Sequence, residues 1–569
     1  RAWVGHSQPR RVRYVLRHRR RLRPVSSHRP LVSTYALALH VGPLLPRWRV
    51  IRELVDRASR IPSSTTAEFA PIRLGSGPRA RGQRLVWWQG GSLSLALGTR
   101  QAFTPRGSSN GTLSRLVQHR FVLPGYRVLV RGSEGVWMHS LARELFPFPR
   151  SLTGDGVRQT LRVLERELPG LIIHEVPSGT AAFDWVVPDE WNARAARITG
   201  PDGKVVVDFN DSNLHLVGYS EPIEGVMSLA ALEEHLHSDP ELPDSIPYVT
   251  AYYHRTWGFC LSDAQRRTLV DGDYHVDIDS RFDQGSLTYG ELVIPGNSSA
   301  EVLLSTYICH PSLANNELSG PVVLTAVAKW LREQDRRFAY RLVFIPESIG
   351  ALLYSSVNLR ALQKNVVAGI NLTCIGDDGD YSFLASREGN SPIDRIGSRA
   401  VRETPQPVEY SYLDRGSDER TYAAPGIDLP LISLMRTKYG KYRGYHSSLD
   451  DLNLVTPSGL QGGLNLVRDT LKQLEASRYF LTTVRGEPQL GRRGLYHTMH
   501  ARTVADEVLL RTHILAYSDG LHSTIDIAEM TGHDLKVVEA LVDELHDHGL
   551  LVETDPRRGE IPDGLINRK

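Results

Sequence analysis

Residues 301–310 read EVLLSTYICH, a run of buried-strand character that stops at an imidazole. Residues 321–334 (PVVLTAVAKWLREQ) then have the length and composition of a helix packed on a sheet, and two more such strands follow at 340–346 (YRLVFIP) and 366–376 (VVAGINLTCIG). Near-continuous apolar strands alternating with helices predict an α/β fold, a doubly wound and mostly parallel sheet buried on both faces. Ligands of such sheets collect beyond the carboxyl ends of the strands. The residues to inspect are therefore His310, Glu347 after RLVFIP, and His446 in GYHSSLDDL (444–452).

These three residue types suit metal-assisted hydrolysis: imidazoles hold a Lewis acid, an open position admits water, and a nearby carboxylate takes its proton. His310 and His446 are read as ligands and Glu347 as the base. Within 138–569 no GxSxG elbow, GxGxxG turn or Walker-type loop is present, and Cys309 beside His310 does not by adjacency make a cysteine nucleophile.

Working outward, 156–171 (GVRQTLRVLERELPGL) has the spacing of an amphipathic helix closed by Pro-Gly. Short alternating runs between turns and aromatic corners predict an inserted β-rich module over 183–283. The enzyme core then occupies 138–182 and 284–485. Residues 486–569 form a linker and a winged helix-turn-helix domain, whose third helix, DLKVVEALVDELHDHG (534–549), is acidic with one Lys. A helix reading DNA needs Arg, Lys, Asn or Gln to meet bases and phosphates. Nucleic acid is therefore not expected as a partner; dimerisation or docking of another protein is.

Charge divides the chain. Residues 1–137 hold 25 Arg, no Lys and four acids, a net +21, whereas the remainder carries 42 basic and 60 acidic groups. The first methionine is Met138, and the segment before it lacks sustained periodicity, so 1–137 is read as upstream sequence outside the folded enzyme. Three widely spaced cysteines (Cys260, Cys309, Cys374) exclude a disulfide framework and point to a reducing, cytoplasmic setting. No run approaches the ~20 apolar residues of a membrane helix.

The motifs FPFPRSLTGDGVR, PSGTAAFDWVVPDEW, IDSRFDQGSLTYGE, ICHPSLANNELSGPVVL, FIPESIG, RGSDERTYAAPGIDLPLISLMRTKYG and YHSSLDDL occur in order. Together they resemble a bacterial aminopeptidase-like family, itself similar to zinc-dependent aminopeptidases and bearing a C-terminal winged helix. The resemblance covers about residues 138–560 and implies a zinc-exopeptidase core. It also implies an amide or peptide substrate, small or short, and an association with polysaccharide or secondary-metabolite biosynthesis.

The wider exopeptidase pattern expects a ligand His, a bridging Asp, a Glu base followed by a ligand Glu, a further Asp and a final His. His310, Glu347 and His446 match three of these. Ser348 and Thr373 stand where the ligand Glu and the further Asp would be, which limits the pattern to one zinc ion. Asn316, in ANNELSG, stands where the family carries Asp, and an amide oxygen is the weaker zinc donor. Glu317 beside it lies in a loop before a helix expected to open at Pro321, and from there it can swing in as a substitute. Asp450 is placed to orient His446, and Asp418 in RGSDER to meet a substrate amine or support the site. The alternative to a hydrolase is a metal-poor binding module using the old cleft. If 1–137 is not translated, peptides from it are absent from a proteomic digest; their detection overturns that reading.

Overall fold

The computed structural model describes residues 84–89, 92–97, 133–252, 254–496 and 502–556, in two units that divide at residues 129 and 130. In the first unit, Arg84–Gln89 pairs antiparallel with Ser92–Leu97, a strand pattern that the Arg-rich reading did not anticipate. The rest of the expectation for 1–132 falls outside the described residues.

The second unit is built on an eight-stranded sheet. Its strands are β1 (Ile172–Pro177), β2 (Ser286–Ile294), β3 (Glu301–Tyr307), β4 (Ala339–Ile345), β5 (Val366–Leu372), β6 (Tyr381–Leu384), β7 (Pro407–Tyr410) and β8 (Leu431–Met435). They lie in the order β7-β6-β8-β5-β3-β4-β2-β1. The central four, β8-β5-β3-β4, are mutually parallel, while β2 and β6 run antiparallel to their central neighbours.

Alternation along the central strands feeds two cores. Val302, Leu304, Leu342 and Phe344 face one layer, and Leu303, Val343 and Ile345 the other, which is why these strands read as unbroken apolar runs. The first layer holds α1 (Ser133–Leu145), α2 (Asp155–Glu167), α3 (Ser319–Leu331), α5 (Pro392–Arg402) and α6 (Pro457–Ala476); the second holds α4 (Ile349–Asn365).

Three boundaries differ from the sequence reading. The helix α1 starts at Ser133, ahead of Met138: Glu134 pairs with Arg468 at 2.7 Å and Lys329 lies over the Trp137 ring, so 133–137 pack with the folded unit. Tyr479–Thr482, read as the end of the large domain, pairs with Asp519–Ser523 and Leu551–Thr554 and so belongs to the winged-helix sheet. Finally, α3 does not open at Pro321. A π-helical turn at Ala314–Leu318 leads straight into it, placing Asn316 and Glu317 on helical backbone.

The segment between β1 and β2 folds into its own antiparallel sheet, in which Glu190–Thr199 and Asp273–Asp283 are central, around Trp191, Ile198, Phe259, Tyr274 and Val276. At the other end, helices Arg502–Tyr517, Thr524–Thr531 and Leu535–Asp547 pack on the three-stranded winged-helix sheet. Asp526 there sits 3.1 Å from both Arg395 and Arg399 of α5, and Asp555 sits 3.0 Å from Arg337.

Close helix–sheet approach is set at Gly320, where a Cβ atom would stand 2.2 Å from Thr306 Oγ1 and 2.5 Å from the Leu372 carbonyl oxygen. Gly320→Ala is therefore expected to lower stability by about 2 kcal/mol or more, as overpacking of a tight core does. A denaturant midpoint equal to that of the parent chain would show that α3 can lift off the sheet.

Candidate functional site

Two strand ends, one helix start and a loop converge, the loop carrying His446 where the sequence reading expected a third strand end. His310 follows β3, Glu347 follows β4, His446 comes from the long loop after β8, and Asn316 lies in the π turn that enters α3. His310 Nε2 faces Glu347 Oε2 at 3.7 Å, and His446 Nε2 contacts Asn316 Oδ1 at 3.1 Å. The two imidazole centroids are 5.6 Å apart. The residues singled out by sequence are thus neighbours in space.

Each is held from behind. Glu317 does not swing into the cleft: its Oε2 takes the His310 Nδ1 side at 2.8 Å, leaving Nε2 to face Glu347. This carboxylate–imidazole arrangement fixes ring orientation and tautomer wherever a histidine serves as a ligand. Arg150, fully buried, stands 3.7 Å from Glu317 and donates to the His310 carbonyl at 3.0 Å. The Asn316 amide is oriented by its Nδ2, which donates to Tyr307 Oη at 2.8 Å, so Oδ1 is the atom turned to His446.

Asp450 lies elsewhere than expected, since none of its bonds reaches the His446 ring. Its carboxylate accepts from the N–H groups of Ala314, Asn315 and Asn316 and from the Tyr442 hydroxyl. It caps the turn that carries Asn316, where orphan donors and the helix dipole favour an anion. Asp418 is fully buried and accepts from the Ser348 N–H at 2.8 Å, so it underpins the turn after Glu347 and is not open to a substrate amine.

Neutral groups pack beside Asn316 and His310, whose ring centroid is 5.2 Å from that of Tyr307. Thr373 Oγ1 and Tyr307 Oη share a 2.5 Å hydrogen bond, and the Cys374 thiol lies 3.5 Å from Thr373 and 3.7 Å from Asn316 Nδ2. These buried hydroxyls and the thiol satisfy one another where a second ion would require carboxylates. Burial pushes the Cys374 thiol up to about 12, so it stays protonated.

The inserted module supplies a wall. Residues 246–248 run beside 446–448, with Tyr248 N–H donating to the His446 carbonyl at 2.8 Å. The Tyr248 ring lies 5.1 Å from His310 and 5.2 Å from His446, while Tyr445 stacks on His446 at 3.9 Å. His446 itself has φ +56°, and Ser348 and Cys374 have φ +64° and +46°. Non-glycine residues in that region persist where surrounding structure forces them, and they cluster at functional sites.

Electrostatics separate the two imidazoles. Burial and the proximity of His310 lower His446 to about 3, so it is neutral and available as a donor. Burial also pulls His310 down, but the Glu317 bond and the charges of Glu317 and Glu347 outweigh it and raise that ring. Burial raises Glu347, against the opposing charges of His310 and Arg420. Burial and the neighbouring Glu347 raise Asp418 well above the usual carboxylate range.

Cys309, His310 and Glu317 also place donor atoms within 4.8 Å of one another. This trio uses the Nδ1 side of His310 already bonded to Glu317, with the Arg150 guanidinium alongside, and burial holds Cys309 well above the usual thiol range. It is a structural buttress for the imidazole. Arg150, Tyr248, Tyr307 and Tyr442 carry no metal-ligand signature. Of these, Arg150 falls within FPFPRSLTGDGVR and Tyr307 within EVLLSTYICH, while Tyr248 and Tyr442 lie in no stretch singled out from the sequence.

Fold and site define an aminopeptidase-like α/β domain joined to a winged helix. The chain belongs to the family described as a domain of unknown function (DUF4910), matched over residues 139–477, with a winged helix-turn-helix matched over 478–553. It is 40% identical over 420 residues to a Clostridium acetobutylicum protein named as a putative polysaccharide biosynthesis protein with an aminopeptidase-like domain, covering 73% of this chain and 95% of that one. A crystal structure of a putative peptidase from the same organism superposes with a TM-score of 0.63 at 38% identity, covering 74% of this chain and 97% of the other. A zinc aminopeptidase from Bacillus subtilis gives a TM-score of 0.47 at 9% identity over 60% of this chain and 94% of its own. Among the described residues, no helix is long and apolar enough to cross a membrane.

Asp450→Ala strips the acceptor from three backbone donors and a tyrosine hydroxyl. It is expected to cost roughly 3 kcal/mol, with Asp450→Asn intermediate. Chemical denaturation checks this, and a loss below about 0.5 kcal/mol would mean that water replaces the cap.

Proposed function

We propose that this chain is a hydrolase of an amide or peptide-like bond in a small metabolite or short peptide, using a single zinc ion. The observation that carries the reading is the convergence of His310 Nε2, His446 Nε2 and Asn316 Oδ1 on the cleft that Glu347 borders. The donor set suits one ion: His446 is neutral, and His310 is backed by Glu317 in the manner of a ligating histidine. When bound there, zinc supplies Lewis acidity to an amide carbonyl and lowers the pKa of water. Glu347, with a fifth of its side-chain surface open, is placed to take a proton from water and to return it to the departing amine. Tyr248 and Tyr445 exclude solvent around the imidazoles. The polysaccharide association of the Clostridium relative belongs to that protein's name; an N-acylated amino sugar is within the proposed substrate class.

A second reading, a metal-poor binding module, draws on Asn316 itself. As a neutral amide it already satisfies His446 by a direct hydrogen bond, so the pair is stable without an ion. The winged helix is then the docking part, through dimerisation or a protein partner, and its acidic third helix disfavours DNA.

Elemental analysis of the full chain separates the two. One equivalent of zinc that is lost in His310→Ala supports the hydrolase, and Asn316→Asp is expected to raise zinc affinity about tenfold or more. Glu347→Gln should keep the metal but lower turnover of an amide substrate by about a hundredfold or more. Failure to take up zinc even when it is supplied moves the protein to the binding-module reading, and unchanged occupancy in Asn316→Asp removes Asn316 from the ligand set.

A further inference from the structure

The loop RGSDER sends three successive side chains in different directions. Asp418 is buried against the Ser348 N–H. Glu419 is buried on the other side, where it accepts from the Gly416 and Ser417 N–H groups and from Asn371, Ser433 and Tyr439. Arg420 remains exposed, and its Nη2 donates to Ser348 Oγ, one residue beyond Glu347. Asp418 and Arg420 thus clasp the strained Ser348 turn by its N–H and its hydroxyl.

This clasp holds its cation without an ion pair. Arg158, Arg341 and Arg399 each meet two or more carboxylates. No carboxylate lies within 4.0 Å of Arg420 among the described residues, although its charge acts at longer range on Glu347 and Asp418. A guanidinium is a planar fork of donors that matches a carboxylate with two parallel bonds, and it stays cationic at any physiological pH. Ser348 Oγ occupies one donor and leaves the rest free toward solvent. A free amino terminus entering this region would meet a fixed like charge, with Asp418 buried beyond its reach.

We propose that Arg420 is a specificity-determining residue that binds a carboxylate of the substrate next to the bond to be cut, so that the preferred substrate is an acidic amide and not a peptide presenting a free amino end. This rests on the reading of the cleft as a hydrolytic site. It departs from the sequence expectation that this loop meets a substrate amine through Asp418, because tertiary packing buries that carboxylate and presents the arginine instead.

The test is calorimetric binding of three probes of similar size to the full chain: hippurate, its neutral analogue hippuramide, and the amine-bearing glycine anilide. Hippurate is expected to bind at least about tenfold more tightly than hippuramide. That preference should fall to parity in Arg420→Ala, recover in part in Arg420→Lys, and give way to tighter anilide binding in Arg420→Glu. Equal binding of hippurate and hippuramide, a preference that survives in Arg420→Ala, or no binding of any probe overturns the proposal. Benzoate release from hippurate is followed in parallel. Carboxylate preference without turnover sinks the hydrolase reading and leaves the anion site standing, whereas turnover without carboxylate preference does the reverse.

Discussion

The Asp450 carboxylate ties together two parts of the chain that are 134 residues apart at Asn316. It arrives on the loop that carries His446 and ends on the three backbone N–H groups that open the π turn at Ala314. Because Asn316 is one of those three residues, the cap that starts α3 also sets the distance between Asn316 Oδ1 and His446 Nε2. Burial holds Asp450 at about 6, with its hydrogen bonds pulling the other way. The site therefore depends on a single acid satisfied on four sides, which is how a charge-bearing group persists in an interior.

Around that tie, the fold divides its labour by strand end. The parallel centre of the sheet brings β3 and β4 side by side, so His310 and Glu347, one after each strand, meet without any special loop. His446 does require one. It sits at positive φ on a loop braced by 246–248 of the inserted module, so a segment outside the core fold determines where a core-site imidazole stands. Strain at Ser348, Cys374 and His446 is affordable because neighbouring elements over-determine those turns.

Polarity shows a consistent departure from a carboxylate-rich metal site. Tyr307, Thr373, Cys374 and Asn316 form a neutral, self-satisfied network on one side, while the acids that remain, Glu317, Asp418 and Asp450, point away from the cleft and hold backbone or imidazole in place. Glu347 alone of these carboxyls borders the cleft with exposed surface, and Arg420 adds a cation at its rim.

The sequence by itself determined the α/β alternation, the winged helix and the strand-end positions of His310 and Glu347, but not that His446 stands on a loop well past the end of β8. Buried parallel strands must be apolar on both faces and must stop where the ligands lie, and both properties are written locally. It could not say where Asp450, Glu317 and Asp418 point, nor that Arg420 is the exposed member of its loop. Side-chain direction at a helix cap or a clasped turn depends on partners more than a hundred residues away for Asp450, and about seventy for Asp418 and Arg420. For the same reason Arg150 could not be read from FPFPR, because an arginine is kept buried only by the carbonyls and the carboxylate that tertiary packing brings to it.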